Sequence, residues 1–144
     1  MNFCPNLAIH AGIPNFTFIF ILNMANSPQE FQEYRARMND RILSGDSLVI
    51  KRFFNLDTQT YTAGALDVKT KELIGLTASL VLRCDDCVRY HIAQAISAGL
   101  SDAEIIEAME IGLVVGGSIV IPHLRRAYEF LDAARNEALN LHRP

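Results

Sequence analysis

Apolar residues recur along most of this chain at the three-and-four spacing of helices, and the polar residues that interrupt them are those that start and stop helices. Ser27-Pro28-Gln29-Glu30 offers an N-cap serine, a proline at the first helical position and a glutamate three residues after the cap. A helix is predicted from there, with Phe31, Tyr34, Met38 and Ile42 on one side and Gly45 placed to end it. Residues 48–56 (LVIKRFFNL) read as a second, short helix, followed by a Thr-rich connection that reaches Gly64. Asp67 caps a third helix carrying Leu73, Leu76 and Leu80 up to about Arg83, and a fourth runs from the Cys84 region to Gly99. Ser101-Asp102-Ala103-Glu104 repeats the capping box and opens a fifth helix containing Ile105, Ile106, Met109, Leu113 and Val114. Gly116-Gly117 then breaks or kinks the pattern. The β-rich spelling of residues 114–121 would also suit a hairpin, but an isolated pair of short strands between strong helices is the weaker choice. A last helix places Leu124, Ala127, Tyr128 and Leu131 at helical spacing and fades at Asn140. The expected fold class is all-α: a helical bundle in which the third and fourth helices, joined with almost no linker, form a central αα-hairpin.

Composition narrows the setting. With 144 residues, 50% hydrophobic and 20% charged, the chain is sized for one domain that needs no disulfides to complete a core. That domain is placed at residues 27–140. Residues 1–26 read as a weakly specified arm, or as an upstream extension if Met24 is the start. A net charge of −3, from 13 basic and 16 acidic residues, argues against nucleic acid or an anionic membrane as partner. The longest apolar run near the N-terminus, residues 16–22 (FTFIFIL), falls far short of the roughly 18 residues of a membrane span. No Lys or Arg precedes Arg35 to form the basic start of a secretory signal. Three cysteines are too few for a disulfide-built secreted scaffold, and the close pair Cys84 and Cys87 suits a reducing compartment, so a cytoplasmic protein is expected.

The candidate chemistry lies in Arg83-Cys84-Asp85-Asp86-Cys87-Val88-Arg89-Tyr90-His91. At about 100° per residue, Cys84, Cys87 and His91 fall within roughly 60° of one another, while Asp85, Asp86 and Arg89 point elsewhere. Two cysteines so spaced at a helix start can close a disulfide with little backbone movement, and the unpaired N–H groups there favour a thiolate. An imidazole one turn beyond Cys87 suits proton transfer near neutrality. Glu72 is the candidate to orient it, because it shares an i, i+4 stripe with Leu76 and Leu80 and an acid on an apolar stripe needs a partner. In an antiparallel hairpin Glu72 would sit about 16 Å before the turn and His91 about 12 Å beyond it, close enough to meet.

Glu72, the interval to Cys84, and the C-x-x-C-x-x-x-H run resemble the alkyl hydroperoxidase D (AhpD)-like, carboxymuconolactone decarboxylase superfamily. The likeness extends over about residues 28 to 135, including Ala65-Leu66-Asp67-Val68-Lys69-Thr70-Lys71-Glu72-Leu73 and the Gly116-Gly117 segment. It implies an all-helical domain assembled into homo-trimers or homo-hexamers, with thiol-dependent peroxidase or disulfide-reductase activity. In the AhpD-like branch the two cysteines are the redox pair and the glutamate and histidine a proton relay, roles that transfer to Cys84, Cys87, Glu72 and His91. AhpD enzymes carry a histidine immediately before the second cysteine, where this chain has Asp86. The carboxylates of Asp85 and Asp86 disfavour a thiolate, partly offset by Arg83 and Arg89. The γ-carboxymuconolactone decarboxylases share the fold but lack the C-x-x-C pair.

The expected activity is therefore reduction of a small hydroperoxide, with Cys84, nearer the helix start, as the first thiol to attack. No phosphate loop or dinucleotide fingerprint occurs, so electrons would come from a dithiol protein or small thiol. The alternatives are decarboxylation of a lactone acid by His91 and Glu72, or a non-catalytic oligomer that senses redox state or binds metal. Zinc would accept both thiols and His91, with Glu72 or His123 as a fourth ligand, but no second C-x-x-C closes a structural cage, so neither metal nor other cofactor is expected. Cysteines, His91 and Glu72 also have plain structural readings, as buried small side chains and a satisfied polar pair. His123 reads as a helix-start histidine without chemistry, Tyr90 as packing or subunit contact, and Cys4 as a bystander. His10 and His142 lie in weakly specified ends. Residues 105–115 and 124–131 are more apolar than a monomer's outside requires, which favours a homo-oligomer.

Overall fold

The computed structural model describes residues 27–141, and all of its regular structure there is helical. Six α-helices follow in order: α1 Pro28–Leu43, α2 Leu48–Thr60, α3 Val68–Val81, α4 Asp85–Ser97, α5 Asp102–Gly116 and α6 Ile121–Leu141, with a 3₁₀ turn at Ser118–Val120 before α6. The starts are fixed by side chains that take up unpaired backbone N–H groups. Ser47 accepts from the Ile50 N–H and Asp67 from the Thr70 N–H, and Cys84, through its sulfur, occupies the same position in α4. At Ser101 the full capping box forms, with Glu104 reaching back to the Ser101 N–H at 2.7 Å.

The core lies where α3 packs against α4 and α5, and α4 against α6. Leu76, Leu80, Ile92, Ile105 and Met109 are fully enclosed, and Ala127, Phe130 and Leu131 close the side contributed by α6. At about 1.5–3 kcal/mol for each large apolar side chain buried, these three central helices and α6 carry most of the hydrophobic stabilisation. By contrast α1 buries only Pro28 and Phe31, and α2 buries nothing within the single chain.

Several expectations are modified. The Ser27 box is only half made: Ser27 accepts from the Glu30 N–H, but its hydroxyl donates across the fold to Glu137 at 3.1 Å, tying α1 to α6. On α1, Phe31 enters the core, whereas Tyr34 and Ile42 stay 53% and 39% exposed. The second helix runs to Thr60 rather than ending near Leu56, because the hydroxyls of Thr58 and Thr60 fold back onto the carbonyls of Phe54 and Leu56 instead of breaking the turn. The 114–121 stretch makes no hairpin: α5 continues through Gly116, and the chain reverses at Gly117 with φ 73°.

The α3–α4 connection sets where the first cysteine stands. Arg83 adopts φ 60°, its N–H bonding the Leu80 carbonyl at 3.0 Å, while the Cys84 N–H bonds the Ser79 carbonyl at 3.0 Å. That is a Schellman closure, and it makes Cys84 both the end of one helix's capping motif and the cap of the next. The far end of α4 closes in the same way through Gly99, φ 79°, and Leu100. A left-handed conformation costs an L-residue about 1–2 kcal/mol and glycine almost nothing. Arg83→Gly should therefore stabilise the fold by about 0.5–1 kcal/mol and Gly99→Ala should destabilise it by about 1 kcal/mol, read as opposite shifts in urea midpoint at unchanged slope.

Candidate functional site

Cys84 and Cys87 are half-buried at the start of α4 and their sulfurs are joined as a disulfide, with the Cα atoms 5.3 Å apart. The Schellman closure sets the position of Cys84, and one helical turn sets that of Cys87, whose N–H points at the Cys84 sulfur at 3.3 Å. Asp85 and Asp86 occupy the first turn of α4, where negative charge is favourable to the helix.

One turn further, His91 is buried and meets Glu72 of α3, also buried: Nδ1 lies 2.8 Å from Oε2. A carboxylate can only accept, so Nδ1 carries a proton, and in the neutral ring Nε2 keeps its lone pair. The interaction answers the cost of an acid on the Leu76–Leu80 stripe, since each group supplies the other's missing partner. The helices approach closely enough for this because residue 75 is glycine. A methyl group there would fall 2.5 Å from His91 Cε1 and 2.6 Å from the Tyr61 hydroxyl oxygen.

Tyr61 is the participant that pattern reading missed. It caps the C-terminus of α2, and its hydroxyl lies 3.4 Å from His91 Nε2, the rings 5.2 Å apart. Burial, then the Glu72 carboxylate, pushes this phenol up from its ordinary value, so it stays protonated and can donate to Nε2. Tyr90 meets His91 in an edge-to-face arrangement from the same helix, and the Arg35 guanidinium lies over the Tyr90 ring at 4.2 Å. Nothing in the sequence separates Tyr61 from an ordinary residue of a polar connection, because its contact with His91 is made across 30 positions.

His123 is not idle either. It lies on α6 with Nδ1 2.8 Å from Asp85 Oδ1, and Arg126 Nε donates to the other Asp85 oxygen at 2.8 Å. Arg126 Nη2 also comes within 2.9 Å of His123 Nδ1. One ring nitrogen cannot both donate and accept, and the carboxylate is the stronger claim on an N–H, so Arg126 is there a close neighbour only. Partial burial raises the Asp85 carboxyl, but the bonds from His123 and Arg126 outweigh it, and the group titrates below its ordinary value. The negative charge of Asp85 next to Cys84 is thus largely matched from α6, by His123 and Arg126. Among the described residues, no group of three or more His, Cys, Asp or Glu side chains converges as a metal site, and His123 is turned to Asp85.

A separate apolar groove of about 680 Å³ runs between α3 and α5 on the side of α3 away from Glu72, lined by Leu73, Ile74, Ala78, Val81, Ile111 and Val115 among others. Among the described residues no helix is long and apolar enough to cross a membrane.

Against known proteins, residues 47–130 match the sequence profile of the carboxymuconolactone decarboxylase family. The crystal structure of TM1620 from Thermotoga maritima is similar at 58% identity and a TM-score of 0.75, covering 78% of this chain and 98% of that one. A second crystal structure of TM1620, at 56% identity over 79% of this chain and 97% of that one with a TM-score of 0.74, describes it as a carboxymuconolactone decarboxylase family protein with a suggested involvement in antioxidative response. A Legionella pneumophila protein of the same family, 23% identical over 79% of this chain and 96% of its own, shares the fold with a TM-score of 0.59. In sequence alone, uncharacterized protein 4 in the cox locus of Paracoccus denitrificans is 29% identical over 80 residues, 56% of this chain and 72% of that protein.

Asp85 yields a pH-dependent expectation. Its carboxyl is depressed by folding, so the associated stability is present above the unfolded value near 4 and disappears as pH falls through the folded value. With a side chain about one-third exposed, Asp85→Asn should cost about 0.5–1 kcal/mol at pH 7. The difference between the two proteins in urea unfolding should shrink steadily below pH 4.

Proposed function

The chain belongs to the carboxymuconolactone decarboxylase family, and from that membership we propose that it is a dithiol hydroperoxide reductase of the AhpD-like branch, cytoplasmic and without a cofactor. The observation that carries this reading is the placement of the Cys84–Cys87 disulfide one turn from the buried Glu72–His91 pair. A lactone decarboxylase would use the acid–base pair but has no use for two cysteines at bonding distance. The suggested antioxidative involvement of TM1620 supports the same class.

In this mechanism His91, oriented by Glu72, takes the proton of one cysteine, and the resulting thiolate attacks the terminal peroxide oxygen. The O–O bond breaks, the cysteine becomes a sulfenic acid, and the leaving alkoxide takes the proton held by His91 to depart as an alcohol. The second thiol attacks the sulfenic sulfur, forming the disulfide and releasing water. A dithiol protein or small thiol then reduces the disulfide and is itself oxidised. One hydroperoxide and two donor thiols yield one alcohol, one water and one donor disulfide. Cys84, at the helix cap, is assigned the attack and Cys87 the resolution.

The uncovered apolar surface fits a homo-trimer or homo-hexamer. Leu48, Val49, Phe53 and Leu56 on α2 and Val114 and Val115 on α5 are all more than half exposed in the single chain. Sedimentation velocity should find an assembly of three or six chains, and a monomer would remove this part of the proposal.

Steady-state hydroperoxide reduction with a supplied dithiol should fall at least about a hundredfold in Cys84→Ser. Undiminished turnover by that variant would overturn the mechanism. Turnover of γ-carboxymuconolactone by a Cys84→Ser/Cys87→Ser protein would instead establish the lyase.

A further inference from the structure

Glu72 and His91 are both almost fully enclosed, so a proton reaching His91 from water needs a carrier. His91 Nδ1 is occupied by Glu72, and its other nitrogen faces the Tyr61 hydroxyl. Tyr61 is half-buried, with its ring inside against His91 and part of its surface in solvent. Its backbone position is held from α3: Lys71 Nζ donates to the carbonyls of Thr60 at 2.8 Å and Thr62 at 2.6 Å, the residues on either side of Tyr61. Lys71 thus closes the last turn of α2 with a cation, as a helix C-terminus favours, and does so next in sequence to Glu72. Gly75 leaves room for the hydroxyl and imidazole to share one space.

We propose that Tyr61, clamped by Lys71, is the positioning residue of His91: its hydroxyl holds Nε2 and passes protons between that nitrogen and solvent. The inference rests on the proposed dithiol chemistry and concerns its reductive half. When a donor thiolate attacks the disulfide, the S–S bond breaks, a mixed disulfide forms, and the displaced cysteine leaves as a thiolate. Tyr61 gives its proton to the Nε2 lone pair and takes on the same oxygen, by way of solvent, the proton that the donor thiol lost on ionising; Nε2 then passes its proton to the displaced sulfur, so one proton moves inward and both the phenol and the imidazole end unchanged. The groups around the hydroxyl suit this task. Burial and the nearby Glu72, Asp57 and Tyr90 keep the phenol from ionising.

The test follows reduction of the Cys84–Cys87 disulfide by dithiothreitol in the full chain, quenched with an alkylating agent, so that no peroxide is involved. Tyr61→Phe keeps the ring against His91 and removes only the hydroxyl; reduction should slow about tenfold and recover on adding imidazole buffer. Lys71→Met should slow reduction in the same direction, Lys71→Arg should restore it, and Lys71→Met/Tyr61→Phe should be no slower than Tyr61→Phe alone. Unchanged circular dichroism in Tyr61→Phe separates this from misfolding. Reduction of Tyr61→Phe at the unaltered rate, or a slowing that imidazole does not relieve, overturns the role of Tyr61. Full additivity in the double variant overturns the clamp. Failure of the parent protein to reduce hydroperoxides, with the Tyr61→Phe effect intact, counts against the peroxidase reading and leaves the proton route standing.

Discussion

Two side chains that would each be expensive to bury alone, Glu72 and His91, lie together between α3 and α4 with 2.8 Å separating nitrogen and oxygen. Much of the central architecture can be understood from that pair. It requires two helices to approach within the reach of a glutamate and an imidazole, which Gly75 permits and a larger residue would prevent. It also requires dry surroundings, supplied by Leu76 and Leu80 on one side and Val88 and Ile92 on the other. In such surroundings a polar group without its partner costs several times what the bond itself contributes, so the pair specifies the register of the two helices more than it stabilises them.

The cysteines are placed by backbone geometry instead. The left-handed Arg83 reverses the chain within the fewest residues a Schellman closure allows, and the next helix begins on Cys84. Because the reversal is short, the disulfide and the acid–base pair are held to one another through two packed helices without a flexible loop between them. From α6, Arg126 and His123 pin Asp85 beside Cys84. The start of α4 is therefore braced at one end by the core and at the other by an ion cluster, so the disulfide-bearing turn is supported from two sides.

The surface divides in a way that bears on assembly. Most of the core comes from α3, α4, α5 and α6, with Phe31 added from α1, while among the described residues α2 buries no side chain and leaves Leu48, Val49, Phe53 and Leu56 more than half exposed. Even so, α2 delivers Tyr61 to the site. A helix poorly supported in the single chain but connected to the imidazole is one whose position depends on Lys71 and on whatever covers its apolar face.

Sequence alone determined the helical class and the starts of most helices, because caps and helical periodicity are local properties expressed within about one turn. It also made the meeting of Glu72 and His91 legible, since an acid on an apolar stripe demands a partner and a short reversal limits which residue can reach it. Local signals were outdone at a few atoms: Ser27 turned to the distant Glu137, and the hydroxyls of Thr58 and Thr60 extended a helix by bonding one turn back. Tyr61 and the Lys71 bonds beside it were decided by tertiary structure only. A phenol in a polar connection has no periodicity to betray it, and its hydroxyl acquires a partner only when the fold sets the end of α2 beside the α3–α4 pair.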